Sequence, residues 1–153
     1  MFISSLKNKI KIMYKTAIFN KNAKLGKNTI FGAQSNCIND GGDIIIGNNC
    51  DIHAIISVKK NGVIKIGSFT TIRGNSVIGA VKKIEIGDYV IISNNVTIYD
   101  NNNHPISPVK RMEMCKSGFY SNLWDWKYSR FSSIKIEDNV WIGERAVILK
   151  GVT

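Results

Sequence analysis

Aliphatic side chains return every six positions along most of this chain, in sets of three. Leu25/Phe31/Cys37 opens the series, followed by Ile46/Ile52/Val58, Ile66/Ile72/Ile78, Ile86/Ile92/Ile98 and Ile136/Ile142/Ile148. A period of six matches neither the helical turn nor one continuous strand, so each set predicts three short strands joined by tight corners, one coil of a triangular solenoid. Ile46, Ile66 and Ile86 stand 20 residues apart, a coil of 18 with a two-residue bulge at one corner, and Leu25 to Ile46 is 21. From Ile86 to Ile136 the stride is 50, which inserts about thirty residues between the third face of the fourth coil and the first face of the fifth.

The residue four places after each aliphatic one should also face the axis, near a corner. Thr29, Ser35, Cys50, Thr70, Ser76, Val90, Val96, Val140, Ala146 and Val152 are small or apolar as this requires, whereas Ile56 is larger and Lys82 and Asn102 depart at the third corner. Glycine follows the aliphatic residue at Gly26, Gly47, Gly67 and Gly87, and Asn28, Asn48, Asp88, Asn94 and Asp138 supply residues that tolerate turns. The predicted fold is all-β: a parallel β-helix of about five coils over residues 21–153, with an inserted loop at 99–133 and an N-terminal cap at 1–20.

Within the cap, residues 2–15 predict a short helix with Phe2, Ile3, Leu6, Ile10 and Met13 on one side and Lys7, Lys9, Lys11 and Lys15 elsewhere. Two readings stand: the helix covers the open end of the first coil, as solenoids require, or it lies on an anionic membrane surface as a peripheral contact. Its apolar run is too short for a signal peptide or a span.

Composition narrows the partners. A chain of 153 residues makes one domain, and its net charge of +10, from 21 Lys and Arg against 11 Asp and Glu, attracts polyanions. The lysines are spread along the coils with no arginine-rich run and no recognition helix, which argues against nucleic acid. A phosphorylated cofactor or an acidic saccharide uses the same charge more economically. The three cysteines form no C-x-x-C pair, and Cys37 and Cys50 fall on inward positions, so free thiols in a reducing cytoplasm are expected. His53 follows inward Ile52 and reads as a surface residue. With only His53 and His104 present, a three-histidine metal site cannot be built within this sequence, and no metal is expected.

The fourth coil runs out through Asn95-Val96-Thr97-Ile98-Tyr99-Asp100, three further asparagines and His104-Pro105, and the chain returns as Asn139-Val140-Trp141-Ile142-Gly143. A hexapeptide solenoid with these two motifs resembles the acetyl-coenzyme A-dependent O-acetyltransferases of the hexapeptide-repeat, left-handed parallel β-helix family, such as the galactoside, maltose and xenobiotic acetyltransferases. The resemblance covers roughly residues 44–153. It implies left-handed coiling, an exception to the usual right-handed crossover, and a homotrimer with each active site between two solenoids. The implied reaction moves an acetyl group from acetyl-coenzyme A to a hydroxyl of a cell-surface saccharide or its precursor.

That chemistry needs a base, because a sugar hydroxyl is too weak an acid to attack a thioester unaided, and an imidazole titrates near neutrality. His104 is the candidate. By resemblance, the backbone N–H of Glu144 would stabilise the oxyanion, its carboxylate pointing away, and Trp141 and Gly143 would lie at the cofactor. Asn75 would hold the acceptor, unless it is simply a turn residue; Trp141 could instead fill a corner between subunits. Tyr99 and Asp100 are candidates for orienting His104 or the acceptor. No Ser or Cys stands in a recognisable nucleophilic setting, which favours direct attack in a ternary complex. The rest of the insertion sets Phe119, Tyr120, Trp124, Trp126 and Tyr128 among Lys110, Arg111, Lys116, Lys127 and Arg130, suited to stacking on a sugar or filling an interface.

Two alternatives remain. The sequence stops at Thr153, on the last face of the fifth coil, where the similar enzymes run on through further coils; a truncated, catalytically impaired scaffold or trimerisation module would fit that. An N-acetyltransferase of an amino sugar would share the fold and the base.

Overall fold

Leu25, Ile46, Ile66, Ile86 and Ile136 stack in register, each directly above the one before it. This column belongs to the first of three parallel sheets in a computed structural model that describes the backbone of residues 2–153, and the side chains of Lys7 and of all residues from Ile10 onward. Fifteen strands, numbered in chain order, build a triangular β-helix of three five-stranded sheets. The first face holds β1 (Lys24–Leu25), β4 (Asp43–Ile46), β7 (Val63–Ile66), β10 (Lys83–Ile86) and β13 (Ile134–Ile136). The second holds β2 (Ile30–Phe31), β5 (Asp51–Ile52), β8 (Thr71–Ile72), β11 (Ile91–Ile92) and β14 (Trp141–Ile142). The third holds β3 (Asn36–Asn39), β6 (Ile55–Val58), β9 (Val77–Ala80), β12 (Thr97–Tyr99) and β15 (Val147–Ile148). The predicted solenoid and its parallel coils are thus the observed architecture.

The core is the inside of this prism. Ile52, Ile72 and Ile92 of the second face and Ile56, Ile78 and Ile98 of the third are fully buried. Each contributes about 1.5–3 kcal/mol of apolar burial relative to an exposed side chain. One ladder position differs from the six-residue reading. Ile56, not Val58, pairs with Cys37 and Ile78, while Val58 pairs with Asn39 and Ala80. Only four residues separate Ile52 from Ile56, against six from Ile72 to Ile78. The next corner compensates: Lys59-Lys60-Asn61-Gly62 bridges Val58 to Val63 where Val81-Lys82 alone bridges Ala80 to Lys83. A strict period cannot reveal two changes that cancel within one coil.

Corners are tied from coil to coil by side chains. At the first corner Lys27 N–H donates to Asn48 Oδ1 at 2.8 Å, Asn48 N–H to Ser68 Oγ at 3.1 Å, Ser68 N–H to Asp88 Oδ1 at 2.6 Å, and Asp88 N–H to Asp138 Oδ1 at 2.8 Å. One inward column nearby is hydroxyl, thiol, hydroxyl: Thr29 donates to Gly47 O, Cys50 to Gly67 O and Thr70 to Gly87 O. Backbone groups that the strands leave unpaired are thereby satisfied.

The N-terminal helix α1 spans Phe2–Asn22, longer than the predicted 2–15. Its C-terminal part closes the first coil: Phe19 is fully buried and stacks on Phe31 with centroids 3.9 Å apart. The helix covers the first coil as expected of the 1–20 cap, through Phe19, which lies beyond the predicted 2–15 segment. Of that segment's apolar face, Ile10 and Met13 are exposed, and the side chains of Phe2, Ile3 and Leu6 lie outside the described residues. No helix among the described residues is long and apolar enough to cross a membrane.

The insertion leaves after β12 and returns at β13, as the stride predicted. Its base is stapled: Ser132 N–H donates to Asp100 O, Asn102 N–H to Arg130 O, and Asn101 bridges Phe131 antiparallel. Inside it run α2 (Pro108–Lys116), capped by Ser107, and two 3-10 turns, Asn122–Trp124 and Trp126–Tyr128.

Candidate active site

His104 stands where the insertion leaves the third corner, exposed, at the rim of a groove of about 540 Å³. Tyr99, Asn101, Asn103 and Ile106 contribute from the outgoing strand and loop, Arg111 from α2, and Leu149 and Lys150 from the fifth coil. No protein hydrogen bond reaches either ring nitrogen among the described residues. The ring is held instead by Trp124, which meets it edge to face at 5.6 Å and 85°. Asn103 Oδ1 and Trp124 Nε1 are buried without hydrogen-bond partners. Both atoms lack accessible surface, so they are unsatisfied within the packing of the loop among the described residues.

Tyr99 lies under the inserted loop, its ring edge to face with Trp126 at 5.3 Å. Burial pushes its phenol above the ordinary range, so it stays protonated and can donate. The ring rests where a Cβ on Gly79 would sit, 2.3 Å from Tyr99 Cε1, which explains the glycine opposite it.

Asp100 requires a correction. It is fully buried and does not orient His104, because its oxygens accept from the backbone N–H groups of Val81, Lys82 and Lys83 at 2.7–2.8 Å and from Asn101 Nδ2 at 3.2 Å. Its place is structural: it anchors the third corner of the coil below. Lys82, which departed from the small-residue rule there, sits in the middle of that backbone triplet.

Asn75 lies apart from His104 within the chain. It occupies the corner between the second and third faces, at φ +58°, whereas His104 follows the far end of the third face. Within one chain the two are separated by the whole width of that face. Trp141, Gly143 and Glu144 share Asn75's side of the molecule. The Trp141 ring is three-quarters exposed and donates from Nε1 to Ser93 Oγ at 3.3 Å. Gly143 has open space where a Cβ would be. The Glu144 carboxylate is drawn down to Asn95 Nδ2 at 3.2 Å, and its backbone N–H has no acceptor among the described residues. The predicted residues therefore form two half-sites on opposite edges of the third face.

His53 accepts its surface role, half-exposed with Nε2 2.8 Å from Asp51 Oδ1. Cys37, Cys50 and Cys115 are free thiols. No cluster of three metal-ligating side chains occurs among the described residues. Sequence reading overlooked Trp124 as the partner of His104, and Asn103, Arg111 and Lys150 as groove residues. Only the closing of the loop onto the fifth coil brings these together. Comparison with known protein families and with solved structures finds no match to this chain.

Proposed function

We propose that this protein is a hexapeptide-repeat acetyltransferase of left-handed coil, moving an acetyl group from acetyl-coenzyme A to a sugar hydroxyl. The observation that carries the reading is His104: a loop imidazole with both nitrogens free, at the rim of an open groove and braced by an aromatic ring. In this reading one imidazole nitrogen takes the proton of the acceptor hydroxyl while its oxygen attacks the acetyl carbonyl. The tetrahedral oxyanion then collapses, the carbon–sulfur bond breaks, and the proton passes to the departing thiolate.

The two half-sites explain themselves if chains associate. A second copy whose Asn75, Trp141, Gly143 and Glu144 edge faced this groove would supply the free Glu144 N–H for the oxyanion and the open surface at Gly143 for an elongate cofactor. The homotrimer implied by the resemblance would complete every site if each groove met the Asn75 edge of the next chain.

The test is acetyl transfer from labelled acetyl-coenzyme A to a panel of sugars and amino sugars. His104→Ala is expected to lower kcat at least ~100-fold, the usual worth of a positioned general base. Undiminished transfer by that variant would refute the mechanism, and transfer to amines alone would favour N-acetylation.

A further inference from the structure

The groove at His104 carries charge of one sign. Arg111 and Lys150 line it without any carboxylate, and the adjoining cleft, which shares Pro105 and Ile106, is lined by Lys110 and Arg130, again without one. Glu113 lies in a third depression beside Lys110. Among the described residues of the coils some cations are balanced locally, while others such as Lys27, Lys60 and Lys82 are not. Lys24, Lys59, Arg73 and Lys135 pair with Asp43, Asp40, Asp51 and Glu137. Asp88, Asp100 and Asp138 are spent on backbone N–H groups. None of the four cations around Pro105 and Ile106 belongs to an ion pair among the described residues.

Arg111 is also fixed in place. Its Nη1 donates to the carbonyls of Pro105, at 3.0 Å, and Ile106, so the guanidinium is held against the loop while Nε and Nη2 keep free donors. A ligand that completes this surface brings an anionic group for Arg111 and Lys150.

We propose that the acceptor is an acidic sugar, with its carboxylate held by Arg111 and Lys150, which leaves a neighbouring hydroxyl for His104. A carboxylate on a planar, preorganised guanidinium is a charge-assisted contact, stronger than any neutral hydrogen bond the same groove could offer. The proposal deepens the acetyltransferase reading and rests on it only for the fate of that last hydroxyl.

Binding is measured without acetyl-coenzyme A, by titrating the full chain with galacturonate and with galactose. Galacturonate is expected to bind ~10-fold or more tightly at low salt. Lys150→Gln should abolish most of that preference while leaving the fold intact, because this side chain makes no contact the core depends on. Equal binding of the two sugars, or binding of neither, overturns the proposal. So does displacement of galacturonate by coenzyme A together with weakened coenzyme A binding in Lys150→Gln, which would assign the cations to cofactor phosphates. Failure of the two readings is distinguishable. Galacturonate binding with no acetyl transfer to any sugar removes the acetyltransferase alone, and acetyl transfer to galactose as efficient as to galacturonate removes the acidic acceptor alone.

Discussion

Cys37 shows how far a single residue could be read in advance. Its place in the six-residue pattern put it inside, and it is buried at the foot of the column that continues as Ile56, Ile78 and Ile98. Burial pushes its thiol from an ordinary 9.0 to about 11. The folded value lies above the unfolded one, so the thiol's contribution to stability is full below pH 9 and is lost as pH rises through about 11. The urea midpoint is expected to fall over that window by the equivalent of at most about 3 kcal/mol. Cys37→Val should flatten the fall; parallel curves for the two proteins would count against it. Asp100 is the opposite case. Nothing in its sequence neighbourhood says that its carboxylate reaches down to the N–H groups of residues 81–83, since that bond joins positions far apart in the chain. The one hint was Lys82, an exposed charge where the repeat wanted a small inward residue.

Among the elements, the corners were the most legible and for a local reason. A Cβ on Gly67 would lie 2.5 Å from the Gly87 carbonyl group of the next coil, so close stacking of coils demands glycine there. Gly143 follows an aliphatic residue in the same way but meets nothing within 4 Å. Gly67→Ala is therefore expected to cost about 1–3 kcal/mol through overpacking, and Gly143→Ala close to nothing, in denaturant unfolding. Comparable losses would show that close approach is not what selects glycine at these corners. Strand periodicity also located the insertion, because an interruption that preserves phase leaves its length in the stride. It could not show the paired shortening and lengthening of the second coil, whose effects cancel. Helix α1 was underread because its final turns, with Phe19, point at Phe31 rather than along the amphipathic face of residues 2–15.

At the scale of the molecule, the split between the His104 groove and the Asn75, Trp141 and Glu144 edge bears on how the proposed activity would be assembled. If each site takes one half from each of two chains, His104→Ala and Asn75→Ala proteins, both inactive alone, regain activity when unfolded together and refolded as mixed oligomers. Random association of equal amounts would restore about a quarter of the sites. No recovery, with mixed oligomers demonstrated, would mean that the halves do not cooperate across chains. What the sequence determined alone is the prism: which side chains face the axis, where the corners fall and where the insertion begins. Those features follow from strand alternation and coil closure, which act over a few residues and recur, so the pattern records them. Tertiary structure decided which groups meet at the groove. It set Trp124 against His104, turned Asp100 to the coil below, left Arg111 and Lys150 unpaired, and put Asn75 on another edge. Those outcomes depend on how an irregular loop folds back onto coils distant in sequence, and no repeat encodes them.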